Sequence, residues 1–123
     1  MKIRLHEIEF GAADLQSTTL FYQTVLDLSL NVDQPQLKVF DPGVNSLDLN
    51  FSHHLSPGNM VMSFICDDLA GIMQALQQRE ISFEGPVASH LGMKSISFKD
   101  PAGYIIKINQ ATADSPEWLR KQL

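Results

Sequence analysis

An internal repeat of 54 residues constrains this chain more than any other feature. Asp14 recurs as Asp68, and each is followed by leucine at the start of an amphipathic pattern with helical spacing. Phe10 recurs as Phe64 at the same separation, within the apolar strand that precedes each helix. A repeat of about half the chain indicates two copies of one supersecondary unit. Each copy is too small to close its own core, so we expect the two to pair their sheets and leave a cleft between them.

Each copy is predicted to contain a strand, a capped helix and three further strands. In the first copy we place the strands at 3–11, 27–30, 37–40 and 47–51, the helix from Asp14 to about Val25, and a turn at 31–35. In the second we place the strands at 59–66, 81–83, 93–99 and 104–109, the helix after Asp68, and a loop at 84–91. Ser115 and Pro116 resemble the start of a helix, with serine as the N-cap.

These patterns predict a single α+β domain built from two paired βαβββ modules, whose curved mixed sheets enclose a cleft. The predicted divisions are module one at about 1–55, a linker at about 53–58, module two at about 59–112 and a short C-terminal helix at about 116–123.

One predicted hairpin carries an unusual residue. Asp100-Pro101-Ala102-Gly103 forms a tight turn between two strands, since proline sets φ and glycine can adopt a positive φ. In the second strand Ile106 and Ile108 share one face, which puts Lys107 on the other, inward face. An ammonium is costly to bury without a partner, so Lys107 marks a position of interest.

Composition excludes several classes of function. Apolar residues make up 44% of the chain, which allows a real core, and the net charge of −5 argues against nucleic acid or an anionic membrane as a partner. No apolar run approaches the roughly 20 residues of a membrane span. Charged residues appear too early for a signal peptide, so we expect a cytoplasmic location. The one cysteine, Cys66, lies in an apolar strand and is interpreted as a small core residue.

Three stretches resemble those of a known family: the strand and helix at 7–28, their repeat at 64–83 and the Asp-Pro-Ala-Gly turn at 98–103. They are similar to the glyoxalase / bleomycin-resistance / extradiol-dioxygenase group, the vicinal oxygen chelate superfamily. The resemblance spans roughly residues 3–110 and implies a glyoxalase-like fold. It implies much less about chemistry, because one fold hosts many functions.

The resemblance also implies a metal held by four inward-facing side chains. The matching positions are Glu7, Asp48, Val61 and Lys107. Valine cannot bind a metal ion and an ammonium repels one, so we predict no metal and no other cofactor. Two carboxylates with water could still hold a weakly bound divalent ion at Glu7 and Asp48, and this alternative stays open.

The same positions have two other interpretations. Glu7, Asp48 and Lys107 form either a buried structural ion-pair cluster or a polar anchor at the base of a ligand cleft. The predicted ligand-binding residues are Glu7, Glu9, Asp48, Ser63, Lys107 and His90. The aromatic residues considered as nearest to such a ligand are Phe40, Phe51, Tyr104 and Trp118.

Three functions fit these expectations. The first is a metal-free small-molecule-binding protein with its ligand in the cleft between the modules; bleomycin-resistance members bind cationic drugs in this way. The alternative is a metal-dependent lyase, isomerase or dioxygenase of the same superfamily, although no catalytic residue is identified. The third is an accessory domain with no ligand and no pocket beside Lys107. The expected partners are an unknown small molecule and, by the resemblance, a second copy of the chain in a homodimer.

Overall fold

The computed structural model describes residues 1–123, and its elements follow the order strand, helix and three strands twice over. The α+β class and the two βαβββ modules are therefore confirmed. The chain packs as two compact units, which we call the first unit (residues 6–61) and the second unit (residues 1–5 with 62–123). None of the helices has the length and apolar character that a membrane crossing requires.

The first unit is a four-stranded mixed sheet with one helix packed on it. Its strands lie in the order β2-β3-β4-β1, with β1 parallel to β4 and β3 antiparallel to both neighbours. The core between sheet and helix contains Leu15, Phe40 and Phe51, with the Tyr22 ring 4.7 Å from that of Phe51. The elements are β1 (Ile3–Gly11), α1 (Leu15–Thr24), β2 (Leu30–Gln34), β3 (Leu37–Phe40) and β4 (Asp48–Ser52).

The second unit repeats this plan and adds a short terminal helix. Its strands lie in the order β5-β8-β7-β6, and β7 is antiparallel to both neighbours. Ile96, Ile106 and Ile108 pack with α2 in its core, and Cys66 is buried there as expected. The elements are β5 (Met60–Cys66), α2 (Leu69–Gln78), β6 (Glu84–Ala88), a 3-10 turn (His90–Gly92), β7 (Lys94–Lys99), β8 (Ile105–Gln110) and α3 (Glu117–Arg120).

Both helices begin at the aspartates that define the repeat. The Asp14 carboxylate accepts a hydrogen bond from the Ser17 backbone N–H at 3.0 Å, and Asp68 accepts one from Gly71 at 2.9 Å. The hydrogen bonds from the Ser17 backbone and then its hydroxyl lower the pKa of Asp14. These contacts satisfy N–H groups that a helix start leaves without partners. The two predicted N-caps are therefore confirmed.

The predicted hairpin between β7 and β8 is also confirmed. The Asp100 carboxylate accepts from the Tyr104 backbone N–H at 2.9 Å, and the Gly103 N–H donates to the Asp100 carbonyl at the same distance. Gly103 has a φ of +89°, which only glycine adopts without strain. Lys107 consequently lies on the opposite face of β8 from the buried Ile106 and Ile108.

The predictions for two polar segments, one in each unit, are wrong. The segment 31–35 was expected to be a turn, yet β2 covers Leu30–Gln34 and pairs with β3. The segment 81–83 was expected to be a strand, yet β6 forms at Glu84–Ala88 and pairs with β7. Both are edge strands of their units, where polar residues and Pro86 are tolerated because one side of the ladder is unpaired.

The C-terminal helix is shorter than the predicted 116–123. It covers Glu117–Arg120, and Pro116, not Ser115, occupies the N-cap position. The Ser115 hydroxyl instead accepts a hydrogen bond from the Thr112 backbone N–H at 3.0 Å. Leu119 packs against Ile65, and both are buried in a small core under this helix.

Candidate functional site

Two acidic residues are neighbours on the first unit, on the sheet face opposite α1. Glu7 on β1 is the register partner of Asp48 on β4, and Glu9 is the partner of Asn50. Side chains of register partners point to the same side of a sheet. The structure therefore brings Glu7 and Asp48 together, with Glu9 one pleat further along β1.

The environment of Asp48 disfavours its charge. The residue as a whole is exposed, yet burial of its carboxylate raises the pKa of Asp48, and the nearby Asp41 carboxylate adds to the rise. A raised carboxyl pKa means that the protonated form is favoured. This face is therefore suited to a positive group or a hydrogen-bond donor and unsuited to a further negative charge.

A buried asparagine extends this polar face. Asn50 is 5% exposed, and its Oδ1 atom has no hydrogen-bond partner. Beside it, the Ser52 hydroxyl donates to the Glu9 carboxylate at 3.1 Å. Asn50 was not among the predicted ligand-binding residues, although the alternation of β4 places it on the same face as Asp48. A buried acceptor without a partner is costly, so Asn50 is a potential ligand contact.

The side chains present do not fit the four-ligand metal site that the resemblance implies. Val61, at the end of the first unit, is a half-buried hydrocarbon, and Lys107 is an ammonium. No three His, Cys, Asp or Glu side chains come together in a way that could hold a metal ion. Hard divalent ions usually take six or more oxygen ligands, of which Glu7 and Asp48 provide a minority.

The second unit carries a groove beside Lys107, on the sheet face opposite α2. Its volume is about 530 Å³. Lys107, Ser97 and Glu84 form one row across β8, β7 and β6, since Ser97 is the register partner of both others. The lining also includes Val87, Ala88, Ser89, His90 and Ser95. Lys107 and His90 were predicted from the sequence, but Glu84 was not, because the edge strand β6 and its register were not predicted. Ser95 and Ser97 were also missed, although the predicted strand at 93–99 and its hairpin turn place both on the face of Lys107.

The Lys107 ammonium has no partner within the second unit. Lys121 of this unit pairs with Glu117, and neither an ion pair nor a hydrogen bond of the unit involves the Lys107 side chain. The interpretation of Lys107 as part of a buried structural ion-pair cluster with Glu7 and Asp48 of the first unit stays a prediction. The residue is half-buried and its charge is available to a ligand in the groove.

The remaining predicted site residues lie in different surroundings. Ser63 is 3% exposed on β5 and is not part of the groove lining. His90 is exposed in the 3-10 turn, where its Nδ1 lies 3.2 Å from the Ser89 hydroxyl. His53 and His54 are exposed, and His6 is buried at 8% exposure.

The four aromatic residues that the sequence suggested do not line the groove beside Lys107. Phe40 and Phe51 were candidates, but both are buried on the α1 side of the first sheet, where their rings lie 6.0 Å apart. Tyr104, in the hairpin turn, is 50% exposed, and Trp118, on α3, is 58% exposed. The lining of the groove beside Lys107 contains no aromatic ring, so this groove lacks the platform on which a cationic aromatic drug would stack.

Comparisons with known proteins agree with the fold. The sequence-family model of the Glyoxalase/Bleomycin resistance protein/Dioxygenase superfamily matches residues 4–108, which confirms the resemblance found in the sequence. No curated protein matches the sequence.

Solved structures share this architecture at low sequence identity. A superfamily member from Vibrio splendidus 12B01 is 13% identical, with a TM-score of 0.68 over 89% of this chain and 99% of its own. Methylmalonyl-CoA epimerase from Mycobacterium tuberculosis is 14% identical, with a TM-score of 0.62 over 94% of this chain and 90% of its own. An extradiol ring-cleaving dioxygenase from B. fuscum is 17% identical, with a TM-score of 0.69 over 97% of this chain but 35% of its own. At these identities the likeness is one of fold alone.

Proposed function

Because the chain belongs to the glyoxalase/bleomycin resistance protein/dioxygenase superfamily, we propose that it is a small-molecule-binding protein of that superfamily that acts without a metal ion. The observation that carries this proposal is the groove of about 530 Å³ beside the unpartnered Lys107. Small-molecule sites are usually concave, with a few polar groups set among apolar ones. The groove has that character, since Lys107 and the serines of β7 stand beside Val87 and Ala88.

The competing functions have less support. A metal-dependent lyase, isomerase or dioxygenase needs more donors than Glu7 and Asp48 provide, and Lys107 would repel the ion. An accessory domain without a ligand was expected to have no pocket beside Lys107, and a groove is present there. We therefore propose that the ligand binds in the groove of the second unit.

Nuclear magnetic resonance with a fragment library tests this proposal. The ¹⁵N-labelled protein is titrated with a library that contains acids, amines and neutral compounds in equal numbers. We expect some fragments to shift the backbone amide signals of Ser95, Ser97 and Lys107 and to leave those of α1 unchanged. The absence of any fragment that binds below about 1 mM, or shifts confined to other regions, would contradict the proposal.

We also propose that the protein is a homodimer, as the resemblance implies. In support, four large apolar side chains near the end of α1 are at least half exposed: Leu20, Phe21, Val25 and Leu26. Apolar clusters of this kind often mark association surfaces. Sedimentation equilibrium measures the assembly directly, and a monomer at micromolar concentration would overturn this part of the proposal.

A further inference from the structure

Lys107 is a cation that the fold holds in place without a counter-ion. It lies in the middle of β8, half-buried, and forms neither an ion pair nor a hydrogen bond. The chain has 14 acidic and 9 basic residues, yet no carboxylate of the second unit forms an ion pair with this ammonium. A half-buried charge that lacks a partner gains most from a ligand that brings the opposite charge.

Hydroxyl groups extend the positive end of the groove. Ser97 lies next to Lys107 in the cross-strand row, and Ser95 is two residues along β7 on the same face. Ser95 is 3% exposed and lines the groove, and no hydrogen bond involves its hydroxyl. An ammonium with adjacent O–H donors matches the acceptor oxygens of a carboxylate.

A negative charge stands at the other end of the row. Glu84 on β6 is the register partner of Ser97, so two strand spacings, about 10 Å in all, separate its backbone from that of Lys107. A ligand with one negative group is attracted to Lys107. A second negative group at the far end would meet the Glu84 carboxylate.

Apolar surface continues beyond the polar row. Val87 is the register partner of Ser95 and is 59% exposed in the groove. A neighbouring cavity of about 430 Å³ shares Glu84 and Ser97, and its lining adds the apolar side chains of Phe83, Phe98 and Ile105 as well as Ser82 and Lys99. The hydrocarbon part of a ligand would bury this surface.

We propose that the groove binds small organic molecules with a single carboxylate on an apolar body, with the carboxylate at Lys107 and the Ser97 hydroxyl. This inference rests on the proposed small-molecule-binding function and specifies its ligand class. Glu84 makes the groove selective for monocarboxylates over dicarboxylates.

The first test compares acids with their uncharged analogues. Calorimetric titration uses 4-ethylbenzoate and octanoate, each beside its primary amide. We expect the acids to bind at least about tenfold more tightly than the amides, because only the acids pair with the ammonium. Amides or amines that bind in the groove as tightly as the acids would overturn the ligand class and leave the proposed function standing. Failure of every compound, together with the fragment library, would overturn both.

Variants assign the charge recognition to Lys107. Lys107→Met should weaken acid binding about tenfold and leave amide binding unchanged, whereas Lys107→Arg should retain acid binding within a few fold. The control is Lys94→Met, since Lys94 is an exposed lysine on the opposite face of β7. Equal loss in the Lys94 and Lys107 variants would contradict a specific contact. Circular dichroism spectra and melting temperatures verify that each variant is folded.

The selectivity test uses the dicarboxylate terephthalate. It should bind at least about threefold more weakly than 4-ethylbenzoate to the natural protein, and Glu84→Gln should reduce that difference without weakening monocarboxylate binding. If Glu84→Gln leaves the ratio unchanged, Glu84 does not determine selectivity and this part of the inference is wrong.

Discussion

The folded environment of Asp48 disfavours the charged form of its carboxyl group. Burial and then the Asp41 carboxylate raise the pKa of Asp48, and its register partner Glu7 is a second acid. A carboxyl group whose pKa rises on folding holds its proton more tightly in the folded chain than in the unfolded one. The stabilisation that this provides is complete below the unfolded pKa of about 3.9 and is lost as the pH rises through the folded value.

The corresponding prediction concerns Asp48→Asn. Because the variant carries no charge to desolvate, its melting temperature should exceed that of the natural protein by about 1–2 °C at pH 8, a small effect because water screens this exposed residue. The gain should shrink as the pH falls towards the unfolded pKa of about 3.9, because the carboxyl group of Asp48 then takes up its proton in the folded chain. Thermal unfolding of both proteins from pH 3.5 to pH 8 measures this, and a difference that is the same throughout would contradict it.

At the scale of elements, both helices begin at an aspartate N-cap, but the residue three positions after the cap differs. In α2 a Cβ atom on Gly71 would lie 2.3 Å from a carboxylate oxygen of Asp68, so glycine leaves room for the N-cap. In α1 the equivalent residue is Ser17, whose hydroxyl donates to the other oxygen of Asp14 at 2.7 Å. The repeat therefore preserves the cap and varies the residue that accommodates it.

Variants of the α2 cap test this interpretation. Asp68→Ala should cost about 1 kcal/mol of unfolding free energy. Gly71→Ala should stabilise the Asp68→Ala variant by up to about 1 kcal/mol, through helix propensity, and should help less or do harm when Asp68 is present. Gly71→Ser should be better tolerated than Gly71→Ala, since it copies α1. Urea unfolding of the four proteins in the cycle measures the coupling, and strictly additive effects would refute the clash.

At the scale of the whole molecule, the acidic residues are not concentrated into a metal centre. The net charge is −5, yet no three potential ligands converge. Asp14 and Asp68 instead cap helices, Asp100 closes the hairpin turn, and Glu7 and Asp48 lie on one sheet face of the first unit. The similarity to metal-dependent members of the superfamily is therefore a similarity of fold, and one fold hosts many functions.

Metal removal gives a prediction for the intact protein. Dialysis against EDTA should change the melting temperature by less than about 1 °C, because a ligand stabilises a protein only when it binds the folded state tightly. Elemental analysis of protein purified without chelator should find well under one equivalent of any divalent metal. One equivalent of metal per chain, with a melting temperature that falls on EDTA treatment, would favour the metal-dependent alternative instead.

Much of the fold was predictable because its signals are local. Helical periodicity, the aspartate N-caps and the Asp-Pro-Ala-Gly turn each depend on residues within a few positions of one another. The alternation of β8 also placed Lys107 on the face opposite the core without any knowledge of its neighbours. The 54-residue repeat then supplied the long-range order, and the resemblance identified Glu7 and Asp48 as related positions.

The amino-acid sequence by itself therefore determined the two βαβββ modules, the faces of their strands and the candidate residues Glu7, Asp48 and Lys107. Only the tertiary structure decided what surrounds Lys107. The edge strand β6 is polar and gains its structure from pairing with β7, so its register, which places Glu84 opposite Ser97, has no local signal. Likewise, only the tertiary structure shows that the Lys107 ammonium lacks a counter-ion in its own unit, because local sequence patterns do not report contacts between distant segments.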